Sequence, residues 1–258
     1  MRECAFCGNK KLLSKEHVWS SCLLEKRQGN RRYSSNAVPD KFIGPNALQI
    51  KDVCEKCNSE NLSELDDYFC RLYDLHIKKI IRPNDEISFE YDFSLLSRWL
   101  LKTLYNNARS GNAETKFKKL LGNYSQYILS GNSKPSEYFV FLQLIIPYVH
   151  NNNELAPNLM TAGPMQIPGF ERDDVETFMV CIDSFRFIVV IPRASTTAVD
   201  SNEIIQTIPD LPATNQAAYL NSSEDKKMIK ASDVDARYTV IPTMLPDFDK
   251  WVKLFISK

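Results

Sequence analysis

Four cysteines of this 258-residue chain fall into two close pairs, Cys4 with Cys7 and Cys54 with Cys57. Two residues between thiols let both sulfurs of one turn reach a single ion at about 2.3 Å. Two such turns complete a tetrahedral four-sulfur site, which is closed and therefore structural. Zn2+ is the expected ion. It would clasp residue 4 to residue 57 and make a loop of everything between. That loop carries Glu16 and His17 in a β-prone setting, and the second pair is followed at once by Asn58 at a helix start. A carboxylate and an amide oxygen suit a hard cation such as Mg2+ or Mn2+. An imidazole titrates near neutrality and can take a proton from water. Brought together, these groups make a one-metal apparatus for phosphodiester hydrolysis.

The order is Cys-x2-Cys, then Glu-His on a strand, then Cys-x2-Cys-Asn at a helix start. It resembles the zinc-containing HNH (ββα-metal) endonucleases. The residues that carry the resemblance are Cys4, Cys7, Glu16, His17, Val18, Cys54, Cys57 and Asn58, with Ser63, Leu65 and Asp66 on the helix. It implies a ββα-metal fold with a four-cysteine zinc ribbon. It implies His17 as general base, and Glu16 and Asn58 as ligands of a catalytic Mg2+ or Mn2+, with Asn61 replacing or supporting Asn58. Asn46 lies in the region of the family's middle Asn, which orients the base or fixes the loop; Asn36 is also available. The implied substrate is nucleic acid, DNA before RNA, and the implied setting restriction or phage defence. This chain departs from the common pattern in carrying Glu rather than Asp before the His, Trp19 where a Pro is usual, and Asn61 where many relatives have an aromatic. The competing expectation is a non-catalytic zinc ribbon that binds nucleic acid or a protein.

The net charge is zero, but residues 1–134 carry six more Lys and Arg than Asp and Glu, and residues 135–258 six fewer. A basic half suits phosphate binding. Lys15, Lys26, Arg27, Arg31 and Arg32 are expected to neutralise phosphates without reading bases. Arg98, Lys102 and Arg109 would extend that surface, and Trp19 and Tyr33 can stack on bases. The acidic C-terminal half is expected to dock a protein partner. No run of eighteen apolar residues predicts a membrane span. The start lacks the apolar core of a signal peptide, which places the chain in the cytoplasm. An odd cysteine count without an export signal argues against disulfides. Cys22, Cys70 and Cys181, in apolar surroundings, are then expected to be buried inert thiols.

The elements that must position these groups can also be read. Lys15 to Trp19 and Ala47 to Val53 are β-prone, and Glu25 to Pro45 reads as a long loop. Leu62, Leu65, Phe69 and Leu72 recur at helical steps after Asn58. Phe93 to Tyr105 and Thr115 to Leu121 read as helices, and 137–146 as a buried strand. Residues 176–182 and 185–191 read as a hairpin about Asp183-Ser184. Asp247 to Ser257 reads as a closing helix. With 43% hydrophobic and 25% charged residues, the expected class is α+β: an HNH domain over 1–75, then an α+β domain over 76–258.

Overall fold

A computed structural model of the chain describes residues 2–26, 33–35, 38–43, 49–111, 113–132, 134, 136–150, 153–155, 160–193 and 200–235. They divide into two compact units. One comprises Met1–His76 and Tyr91–Glu137, the other Ile77–Glu90 and Tyr138–Lys258. The sequence assigns 91–137 to the second domain. Those residues instead pack with the four-cysteine segment, because the apolar face of their long helix needs a partner. Trp99 from that helix stacks on Phe69 with ring centroids 3.4 Å apart.

In the first unit, β1 (Leu13–His17) pairs antiparallel with β4 (Gln49–Cys54), with a register shift between Ser14 and Glu16. Between them lie α1 (Ser21–Lys26) and a hairpin of β2 (Tyr33–Ser35) and β3 (Val38–Ile43). The segment read as a plain loop thus holds regular structure: short β-prone stretches pair despite the Asn, Ser and Gly around them. A wide helical turn over Cys57–Leu62, its bond running from Ser63 N–H to the Asn58 carbonyl, leads into α2 (Ser63–Leu72). Leu62, Leu65, Phe69 and Leu72 are all buried, as their spacing requires. The unit resumes with α3 (Phe93–Ser110), capped by the Asp92 carboxylate, which accepts from Leu95 N–H at 2.9 Å. Two short helices follow, α4 (Thr115–Gly122) and α5 (Ser125–Ser130). The second ends at Gly131, whose φ of 74° suits the left-handed residue after a helix.

The second unit is built on a seven-stranded mixed sheet. Its strands are β5 (Glu86–Glu90), β6 (Phe139–Ile146), β9 (Met160–Pro164), β10 (Val175–Ile182), β11 (Phe185–Pro192), β12 (Ala218–Leu220) and β13 (Lys226–Asp235). A separate two-stranded ladder joins β7 (Tyr148–His150) to β8 (Asn153–Leu155). The order along the main sheet is β5-β13-β6-β11-β10-β9, with β12 beside β6. Only the β13–β6 pair among these is parallel. The β10–β11 hairpin turns through Asp183 and Ser184, and Asp183 takes a φ of 50°. Helix α6 (Ser201–Asp210) lays Ile204 and Ile208 on Phe139, Phe141, Ile188 and Val190. The predicted closing helix over 247–257 lies outside the described residues.

Candidate metal centre and active site

The first thiol pair sits on a tight turn. Gly8 N–H donates to the Cys4 carbonyl at 2.9 Å, and Gly8 supplies the φ of 71° that the turn needs. Ala5 N–H donates to the Asp52 carbonyl at 2.8 Å, which ties this turn to β4. The second pair spans the end of β4 and the start of the following helix. The four sulfurs consequently lie within 4.8 Å of one another. Sulfurs at about 2.3 Å from one tetrahedral ion are about 3.8 Å apart; Cys7 and Cys54 Sγ are separated by 3.8 Å. Cys54 N–H donates to Cys4 Sγ at 3.3 Å. Burial works against ionising Cys4, yet backbone donors led by Cys7 and Cys54 outweigh it and lower its pKa to about 7. Burial and the neighbouring thiols push Cys57 up. Ionised together, four thiolates at this spacing would need a cation among them, and the donor set, distances and burial fit Zn2+.

The clasp fixes β1 against the helix start. The Asn58 amide donates to Ser14 Oγ at 3.0 Å and to the Lys15 carbonyl at 2.9 Å. His17, half-buried, stands opposite Gln49 in the ladder, with His17 Nε2 and the Gln49 amide nitrogen 2.7 Å apart. Rotating that amide presents its oxygen to an Nε2–H instead, and leaves the Nδ1 lone pair for a water. Sequence reasoning missed Gln49; only the register of β1 against β4 identifies it. Asn46, the residue expected to orient the base, lies outside the described residues, as do Arg27, Arg31 and Arg32.

Glu16 points elsewhere. It is 3% exposed, and its Oε1 accepts from Lys102 Nζ at 2.8 Å and from Asn106 Nδ2 at 3.2 Å, both on α3. Lys102 Nζ also donates to both oxygens of Asp66, at 2.6 and 2.7 Å. Ser20 Oγ donates to Asp66 Oδ1 at 2.5 Å, and Trp99 Nε1 reaches Ser20 Oγ at 2.9 Å. Asn106 further donates to the His17 carbonyl at 3.0 Å, anchoring the end of β1. Burial alone would lower the Lys102 pKa; Asp66 and then Glu16 overcome that and raise it. Asn61 faces a third element, donating to the Leu129 carbonyl at 3.2 Å. The oxygen donors expected for Mg2+ or Mn2+ are thus held by three different elements: Asn58 by β1, Glu16 by α3 and Asn61 by the end of α5.

No protein-family model matches the chain, and neither a curated protein nor a solved structure matches it.

Several expected surface groups are internal. Arg98 is buried and donates to the Ile128 and Leu129 carbonyls. Arg109 pairs with Asp52 at 2.8 Å and lies over the Tyr105 ring at 4.0 Å. With Lys102 they cement the unit rather than extend a nucleic-acid surface, because α3 is enclosed along most of its length. Trp19 is buried and packs toward Trp99, so it offers no face for stacking. Lys15 is exposed; Lys26 pairs with Asp74. Cys22 and Cys70 are joined by a disulfide that links α1 to α2, with Cα atoms 6.4 Å apart. That corrects the reading of both as inert thiols: a sequence separation of 48 hid the approach of the two helices. Cys181 is buried and lies outside the disulfide. Among the described residues, no helix is long and apolar enough to cross a membrane.

Proposed function

We propose that the zinc-bearing unit is a phosphodiester hydrolase of the ββα-metal type acting on nucleic acid, with His17 as the general base. One observation carries the reading. An antiparallel β1–β4 pair runs into a helix through a four-thiol clasp, and His17 stands half-buried at the end of β1 beside Gln49. In this reading His17 takes a proton from the attacking water. Gln49 sets which ring nitrogen holds the lone pair, and Asn106 fixes the backbone beneath the imidazole through the His17 carbonyl. Exposed Lys15 neutralises phosphate charge. DNA is the first substrate to test, and restriction or phage defence follows from the resemblance alone. No step is routed through a divalent ion, because Glu16 Oε1 is taken up by Lys102 and Asn106. That same fact favours the second reading, a non-catalytic zinc module that binds nucleic acid or protein. Cleavage of plasmid, single-stranded DNA and tRNA by the full chain, with and without Mg2+ or Mn2+, separates the two. Cleavage that falls about a hundred- to ten-thousandfold in His17→Ala supports the base. Equal activity in parent and variant removes it.

A further inference from the structure

We infer that the Lys102 ammonium is the resident cation of Glu16 and Asp66, built into α3 where the ββα-metal resemblance leads one to expect a divalent metal ligand. The inference goes beyond the hydrolase reading and does not need cleavage to be true.

Lys102 has three donor hydrogens. Three carboxylate oxygens lie 2.6 to 2.8 Å from its nitrogen, two on Asp66 and one on Glu16. The Lys102 side chain is 1% exposed and the Glu16 side chain 4%. An ammonium so enclosed persists only because the two carboxylates face it. Mg2+ and Mn2+ demand close oxygen ligands, and Mg2+ gives up its waters reluctantly. A second cation at Glu16 Oε1 would have to stand beside Lys102 and displace the Asn106 donor from that oxygen. Ser20 Oγ and Trp99 Nε1 also donate to Asp66 Oδ1, so that oxygen is further engaged although the Asp66 side chain remains 20% exposed. The two carboxylates are therefore already provided with a cation, one that is itself enclosed.

The test measures metal binding. Zinc-loaded full-length protein is titrated with Mn2+ and followed by electron paramagnetic resonance, alongside Glu16→Gln, which keeps the shape and an acceptor oxygen for Lys102. Equal Mn2+ binding by the two proteins, including none by either, supports the inference. A loss of tenfold or more in Glu16→Gln would overturn it by making Glu16 a ligand. Lys102→Ala should gain a Mn2+-dependent rise in melting temperature that the parent lacks, since two carboxylates then face a gap. A folded Lys102→Ala without that gain counts against the inference. If Lys102→Ala does not fold, the Glu16→Gln comparison decides. His17→Ala cleavage reports on the hydrolase reading separately, so either can fail alone.

Discussion

At the scale of single residues, the first unit separates two kinds of polar group. His17, Lys15 and Asn58 stay within reach of solvent, whereas Glu16, Lys102 and Asn106 are enclosed. Enclosed charges are costly to unpair. Lys102→Met would strand two carboxylates, and breaking a buried pair this way costs about 3–5 kcal/mol. We expect a loss of that order in denaturant unfolding of the zinc-bearing unit, and a smaller loss for Glu16→Gln. The pH dependence follows from the raised Lys102 pKa. A lysine whose folded pKa exceeds its unfolded value of about 10.4 gives its full contribution below that value. The contribution is lost only as pH rises through the higher folded pKa. The gap between parent and Lys102→Met should therefore stay constant in denaturant titrations from about pH 7 to pH 9; a gap that shrinks over that range would show that the ammonium is not held as described. Gln49→Leu tests a different role. If His17 is the base proposed above, it should lower cleavage and leave zinc content unchanged, since it removes the amide beside the imidazole.

At the scale of elements, the four-cysteine cluster and the Cys22–Cys70 disulfide span overlapping loops. Closing 48 residues by a disulfide alone would contribute about 4 kcal/mol in the chain-entropy view. A zinc held by the four-cysteine cluster would already join the segments around residues 4–7 and 54–57, so much of that loop would be closed before the disulfide forms. Its increment should then be well below the isolated figure. We expect Cys22→Ser with Cys70→Ser to fold and to keep one zinc per chain. The double variant should lose more stability after chelation than before it, because only then does the disulfide close the loop by itself. Thiol counting on the unfolded, zinc-stripped parent should find five free cysteines and one disulfide among seven. Seven free thiols in protein handled without reductant would remove the bridge.

At the scale of the whole molecule, what the sequence disclosed and what it hid divide by the range of the interaction. The thiol pairs are local, so their spacing alone predicts the cluster. The β10–β11 hairpin is legible because two apolar runs flank one turn, and α3 because its stripe is long. Lys102 was hidden because a lysine within a helical stripe looks like a solvated one until Glu16, far away in sequence, is seen to meet it. The place of residues 91–137 was hidden for the same reason, since β5 leaves the first unit to pair with β13. That interleaving makes a prediction about cooperativity. Structural zinc contributes folding free energy directly, and its removal should be felt throughout the unit it clasps. Chelation, or Cys57→Ser, should therefore release more than residues 1–76. Hydrogen exchange should accelerate in β1, β4 and α2, and also in α3, whose Trp99, Lys102 and Asn106 all bond to the clasped segment. Protection in β6, β10 and β11 should persist, because their ladders and the α6 face contain no zinc ligand. Strand β5 is the discriminating probe. Its partner β13 belongs to the second unit, so β5 should stay protected while the chain on either side of it exchanges. If α3 keeps its protection after the zinc is gone, its packing is self-sufficient and the first unit is two cooperative pieces. If β6 and β11 lose theirs, the division into two units does not describe how the molecule unfolds.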